Sequence, residues 1–385
     1  MLSKVCFIIG SRANYSSIKS VMCEVKNSPS LTCQLVLYAS SVLERYGEVS
    51  DLISEDGFEV NEKIFNLIEG ESPLTMAKST GLGLIELAGV FSRIKPDLVF
   101  AVGDRFEVMS IVLAASYMNI PIAHTMGGEV TGTIDESIRH SITKMSHIHF
   151  PASADAASRI QKMGEEKSSI FNVGCPRIDL VKEILNSKKK IDNQKINHFG
   201  VGDELDFDKP FVIVSQHPVT TEFHEAEEQM NTTLKVISKF ELQFLVLWPN
   251  ADAGSAKVSK AIRKFREFNY NKKIRFFKNI SLFNYINLLS KCHCILGNSS
   301  SGIREGNFIG VPCVNIGSRQ NGRQRGNNVI DVNHNYTEIS DALKLQLTKK
   351  KYKSESIYGN GNSAKNIIKI LKQLEKINIQ KKITY

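Results

Sequence analysis

The chain has 385 residues, 42% hydrophobic and 23% charged, a globular composition with length for two ordinary domains. No run of about 20 apolar residues and no leader pattern is present, so a soluble, cytoplasmic protein without a membrane partner is expected. The net charge of +9 does not argue for nucleic acid, because +8 of it falls within 347–385, where ten lysines face two glutamates.

In chain order, 4–9 is a near-continuous apolar run, as in a parallel strand buried on both faces. A turn over 10–17 and a helical pattern over 18–25 follow. Strand, glycine-bearing turn and helix open a doubly wound sheet, whose ligands bind at the carboxyl ends of the strands. Arg12, and Ser16 with Ser17 at the expected helix start, would stand there. No G-x-G-x-x-G fingerprint is present, so no dinucleotide site and no cofactor is expected. A second strand over 35–38 and a helix near 41–55 come next, then a less regular stretch through 63–68. The long helix over 73–94 is apolar enough to serve a homo-oligomer, dimer or tetramer, as an interface.

A strand over 97–102 delivers Gly103-Asp104-Arg105 to the same edge, and a helix follows over 107–118. The strand over 121–124 delivers His124, Met126, Gly127, Gly128 and Glu129. A helix through Met145 carries Asp135 and Arg139 at i,i+4 spacing, an ordinary helical pair taken alone. A strand over 147–150, a helix over 154–163 and a strand over 170–173 close the first half. The first domain is set at 1–180, with a C-terminal helical segment, 361–385, packing back on it; the second is set at 181–360. The polar stretch 188–210 reads as a linker.

The alternation then restarts. A strand over 211–214 delivers His217, a helix spans 225–240, and a strand over 243–247 delivers Asn250. A strand over 274–276 and a helix over 282–290 lead to Gly297-Asn298-Ser299-Ser300-Ser301-Gly302, followed by a helix over 301–309 that carries Glu305. A small polar turn entering a helix leaves N–H donors and hydroxyls aimed at an anion, and a diphosphate suits it, although a plain N-cap would use the same residues. A strand over 312–316 delivers Arg319. Lys365, Lys369, Lys372 and Lys376 then recur at helical spacing as the solvated face of a terminal amphipathic helix. The seven cysteines sit mostly in apolar runs and read as buried thiols, with Cys292-His293-Cys294 a strand and not a metal fragment. No metal signature appears.

Each polar motif follows a strand, so the fold expected is α/β, with two Rossmann-like parallel-sheet domains facing a cleft. Arg12, Asp104, Arg105, His124, Glu129 and Asp135 come from the first half. His217, Asn250, Ser299, Ser300, Glu305 and Arg319 come from the second. Serine hydroxyls, helix N–H groups and Arg319 suit a diphosphate, Glu305 could accept from ribose hydroxyls, and paired carboxylates suit proton transfer at a sugar carbon.

These residues carry a resemblance. Gly10-Ser-Arg-Ala-Asn-Tyr-Ser16, Gly103-Asp-Arg105, the run Gly127 to His140, Gly174-Cys-Pro176, Ser215-Gln-His-Pro218, Asn298 to Gly302 with Glu305, and Gly317-Ser-Arg-Gln320 resemble, in order, the hydrolysing UDP-N-acetylglucosamine 2-epimerases of sialic-type sugar synthesis. The resemblance implies a fold of glycosyltransferase-B type and a metal-independent reaction. UDP is eliminated, and the 2-acetamidoglucal is hydrated to a free sugar inverted at C2. It further implies that Asp104 and Asp135 are catalytic carboxylates and that Arg105 steadies the site. Arg12, Ser16, His217, Asn250, Ser299, Ser300, Glu305 and Arg319 would bind UDP. One departure stands out: sialic-type members commonly carry a catalytic glutamate where this chain has Met126, which leaves Glu129 or His124 to fill the role. Related enzymes of legionaminic-acid synthesis act on UDP-2,4-diacetamido-2,4,6-trideoxy-glucose, a less polar sugar. The Gly-Thr-Ile-Asp-Glu-Ser-Ile-Arg-His match leans toward N-acetylglucosamine. A non-hydrolysing epimerase, a glycosyltransferase and a catalytically silent UDP-sugar sensor are the rival readings.

Overall fold

The structure is a computed structural model that describes residues 2–44, 49–70, 72–249, 253–268, 273–374 and 377–384. The chain divides into two compact units, Met1–Glu129 with Ile134–Leu180 and Tyr358–Tyr385, and Val130–Thr133 with Val181–Ile357. Both are parallel α/β structures, the fold class expected from the alternating pattern.

In the first unit Lys4–Ile9 (β1), Thr32–Tyr38 (β2), Glu62–Ile64 (β3), Leu98–Val102 (β4), Ile122–Thr125 (β5) and Ile148–Phe150 (β6) form one sheet in the order β3-β2-β1-β4-β5-β6. Every pairing is parallel. Five of the six β1 residues and all five of β4 are buried, which is why both strands read as unbroken apolar runs. The helix Pro73–Ile94 has the bounds its sequence announces. Ser72 caps it by accepting from the Thr75 N–H, and proline occupies the first turn.

In the second unit Gly200–Gly202 (β7), Phe211–Ser215 (β8), Gln243–Leu247 (β9), Ile274–Phe277 (β10), Cys294–Gly297 (β11), Cys313–Ile316 (β12) and Val329–Val332 (β13) form the order β13-β12-β11-β8-β9-β10-β7. Only β7 runs antiparallel, against β10. Leaving β7 aside, this sheet repeats the order of the first, with its earliest strand in the middle. The direction of strand addition reverses between β1 and β4 in one sheet and between β8 and β11 in the other. Crevices at such reversals are where doubly wound sheets take ligands.

Several expectations are corrected. The stretch 188–210 is no linker: it contributes the helix Asn193–His198 and β7, and buries Ile196, Leu205 and Phe207. Arg275 staples it down by donating to the carbonyls of Asn197, Gly200 and Gly202. The strand expected over 170–173 reduces to one parallel bridge, His149 with Ile170. The helix over 41–55 is a short 3-10 turn, Ala39–Val42, and a helix, Ser50–Glu55, with 45–48 outside the described residues. The first helix starts at Arg12, six residues earlier than its apolar pattern, because Ser11 caps it. The helix over 301–309 is two short pieces, Ser300–Ile303 and Glu305–Ile309, meeting at Arg304. The helix Tyr336–Thr348 and β13 went unread in the sequence.

The C-terminal helix Ser363–Gln373 packs on the first helix, with Lys365, Lys369 and Lys372 exposed; Lys376 lies outside the described residues. Beyond it Lys381 reaches Glu165, a buried carboxylate that also accepts from Lys144 at 2.6 Å and His149 Nε2 at 2.9 Å. Burial pushes the Glu165 carboxyl up, but these donors outweigh it and hold its pKa down to about 2. All seven cysteines are free thiols. No described helix is long and apolar enough to cross a membrane.

A carboxylate depressed in the fold stabilises above its unfolded pKa and loses that contribution as pH falls toward its folded one. Wild type should therefore exceed Glu165→Gln in stability at pH 6, and the gap should close between about pH 5 and about pH 2, as read by urea unfolding across pH.

Candidate functional site

In the first unit the carboxyl ends of β4 and β5 gather around Arg139. This arginine is only 1% exposed, on the helix Asp135–Met145. Its Nε donates to Asp104 Oδ2 at 2.9 Å, Nη2 donates to the same oxygen, and Nη1 donates to the Glu129 carbonyl at 2.8 Å. Burial alone would lower the guanidinium's pKa. The charges of Asp104, Glu129 and Asp135 outweigh it and push the pKa up. Three of the expected carboxylates thus share one buried cation, and Arg139, read in the sequence only as a helix partner of Asp135, is the centre of the group.

His124 is corrected. Its ring is wholly buried, with Nε2 3.0 Å from the Gly103 carbonyl and Nδ1 3.2 Å from Thr143 Oγ1. A carbonyl can only accept, so Nε2 carries the proton; the Thr143 hydroxyl, which donates to the Arg139 carbonyl at 3.0 Å, lies against Nδ1. Burial drives its pKa down to about 3. The ring is therefore a neutral group enclosed in the core, with no exposed nitrogen.

Met126 is buried, with its sulfur 3.7 Å from the Cys175 thiol. Its φ of +62° is left-handed, a strained state for a methionine at the end of a strand. Arg105 occupies the N-cap position of the helix Phe106–Tyr117 without a capping side-chain bond, and its Nε donates to Glu107 at 2.7 Å. Arg12 is half-buried, and burial lowers its guanidinium's pKa. No carboxylate pairs with it among the described residues. Ser16 lies inside the helix, its hydroxyl donating to the Arg12 carbonyl at 2.9 Å, so it is not at the helix start expected from sequence.

In the second unit Asn298 organises the sheet's carboxyl edge. Its Oδ1 accepts from the His217 N–H at 2.7 Å and its Nδ2 donates to the His217 carbonyl at 2.8 Å, clamping the turn after β8. Its own carbonyl accepts from Arg319 Nη1 at 3.2 Å and Gln320 Nε2 at 2.9 Å, tying in the turn after β12. Gly297 must be glycine: a Cβ there would stand 2.2 Å from the Ser215 carbonyl. Ser299 caps the short helix by accepting from the Ser301 N–H, and Ser301 is engaged by the Tyr285 hydroxyl at 2.8 Å. Ser300 is half-buried and its hydroxyl bonds to no other described group. The helix that follows has four residues and so aligns few peptide dipoles. Arg319 has no carboxylate partner among the described residues, and Glu305 is buried. Asn250 lies outside the described residues. No cluster of three metal-ligating side chains occurs among the described residues.

One doubly wound sheet gathers carboxylates at its carboxyl edge and the other carries serine hydroxyls and Arg319 there, which defines a class of two-unit parallel α/β proteins. The family model for UDP-N-acetylglucosamine 2-epimerase matches residues 23–372. The chain belongs to that family. It is 32% identical to a UDP-N,N'-diacetylbacillosamine 2-epimerase (hydrolyzing) of Legionella pneumophila, over 97% of either chain. It is 31% identical to a GDP/UDP-N,N'-diacetylbacillosamine 2-epimerase (hydrolyzing) of Campylobacter jejuni, over 88% of this chain and 85% of that one. In structure it resembles the UDP-GlcNAc 2-epimerase of Neisseria meningitidis bound to UDP-GlcNAc, with a TM-score of 0.82 over 96% of this chain and all of that one, at 19% identity.

Removing one partner of a buried ion pair leaves an uncompensated charge. Asp104→Asn should therefore cost about 2–4 kcal/mol of stability, the quarter-exposed carboxylate tempering the loss, as read by chemical denaturation.

Proposed function

We propose that the chain catalyses hydrolytic 2-epimerisation of a UDP-linked 2-acetamido sugar. A base takes the C2 proton and the C1–O bond breaks, its electron pair leaving on UDP. Water then adds across the C1=C2 bond of the glycal, hydroxyl to C1 and proton to C2 on the opposite face. The observation that carries this reading is the group of Asp104, Glu129 and Asp135 around buried Arg139, since proton transfer at carbon needs carboxylates fixed in place. Asp104 and Asp135 are the acid–base pair, with Glu129 in place of the glutamate that Met126 displaces. Arg105 balances developing charge beside them. Arg12, Ser16, His217, Asn250, Ser299, Ser300, Glu305 and Arg319 hold UDP. The absence of a carboxylate partner for Arg12 and Arg319 among the described residues supports this, because an unpaired, partly desolvated cation favours an anionic ligand.

The sugar is UDP-2,4-diacetamido-2,4,6-trideoxy-glucose, destined for a legionaminic-type acid. The two relatives named for that chemistry support it, as does the apolar pair of Met126 and Cys175 behind the β5 turn, suited to a sugar without a 6-hydroxyl. UDP-N-acetylglucosamine is the second reading, favoured by Gly132-Thr-Ile-Asp-Glu-Ser-Ile-Arg-His140. Exposed Leu74, Leu82 and Ile85 on the helix Pro73–Ile94 support a homo-oligomer.

Incubation with each UDP-sugar in deuterated water, followed by proton NMR, should give UDP and a free sugar inverted and deuterated at C2. Interconverting UDP-sugars would mean a non-hydrolysing enzyme, and tight UDP binding with no product a sensor. Asp135→Asn should lower kcat by about 10²–10⁴-fold with UDP affinity nearly unchanged. Arg319→Ala should weaken UDP by about 10–100-fold in calorimetry; unchanged affinity would remove it from the site.

A further inference from the structure

Glu107 is the charged group that the proposed reaction leaves unexplained. It sits in the first turn of the helix Phe106–Tyr117 and is only 3% exposed. A glutamate there complements the helix dipole equally well from the surface, so the dipole does not account for its burial. Oε1 accepts from Arg105 Nε at 2.7 Å, while Oε2 is buried with no hydrogen-bond donor. Residues two apart do not face each other on a helix. These two meet because Arg105 is the cap, with extended backbone at φ −72° and ψ 157°. Gly10, at the end of β1, closes over the carboxylate: a Cβ there would lie 3.0 Å from Glu107 Cγ and 3.2 Å from Oε1. Across the β1/β4 reversal, Asn14 Nδ2 also donates to the Val102 carbonyl at 3.1 Å, holding the turn against β4.

We propose that Glu107 is a positioning residue for Arg105. Its carboxylate, shut from water by Gly10, fixes the guanidinium beside Asp104, where bulk solvent would otherwise screen and loosen the pair. The proposal rests on Arg105 acting in the reaction proposed above. Glu107→Gln keeps the shape and an oxygen that can accept from Nε, and removes only the charge. Its expected effect is a fall in kcat of about tenfold or more, with KM within about threefold and an unchanged melting temperature. Arg105→Ala should lower kcat at least as far, and the Glu107→Gln/Arg105→Ala double variant no further than Arg105→Ala alone, because a residue that acts through another adds nothing once that other is gone.

Losses that multiply in the double variant would overturn the proposal, as would a Glu107→Gln enzyme within twofold of wild type. A Glu107→Gln chain without native circular dichroism would make Glu107 a folding residue and overturn it equally. Wild-type turnover is measured first in the same assay: its absence with both UDP-sugars is the failure of the functional reading, and the positioning role falls with it.

Discussion

A guanidinium cannot be buried without its charge being met, and in the first unit that constraint organises the carboxyl edge of the sheet. Arg139 is 1% exposed, so the chain must bring it anions and acceptors. The turn after β4 supplies Asp104, the main chain after β5 supplies the Glu129 carbonyl, and the first turn of Arg139's own helix supplies Asp135. The turn after β4, the turn after β5 and the start of the following helix are thereby held in one place before any substrate arrives. Fixed carboxylates need no reorganisation when charge develops, which is what preorganised catalysis requires.

The second unit solves a similar problem with a neutral group. Asn298 uses its amide to clamp His217 and its carbonyl to collect Arg319 and Gln320. Because the amide is spent on backbone, it costs no charge burial, and Arg319 keeps no carboxylate among the described residues. One unit thus surrounds a cation with carboxylates, and the other presents a cation without one. That asymmetry matches the division between proton transfer and leaving-group binding in the proposed reaction.

What was legible in the sequence follows from how each element is held. Strands such as β1 and β9 were read to the residue, and so was the helix Pro73–Ile94, whose start Ser72 and Pro73 fix. What failed was held by side chains from elsewhere. β7 is Gly-Val-Gly, without a pattern of its own, and owes its place to Arg275. The apolar 170–173 stretch looked like a strand, but it meets the sheet at a single bridge, Ile170 with His149, closed by the Phe171 N–H on the His149 carbonyl. At the site, the polar turns were visible because each follows a strand. The roles of His124 and Arg139 were not: whether a histidine is a base or a packed ring depends on Gly103 and Thr143, some twenty residues away on either side.

Met126 draws these threads together. Its left-handed backbone is costly for a residue with a Cβ, and surrounding contacts hold it: its N–H is taken by the Phe150 carbonyl, and its thioether lies on the Cys175 thiol. The same sharp turn sends the chain on to Glu129, whose carbonyl completes the arginine's set of acceptors. A polar side chain at 126 in this conformation would be carried against the same thiol. The residue that tunes the apolar character of this turn and the geometry that seats Glu129 are therefore one feature, and a change of residue at 126 acts on both at once.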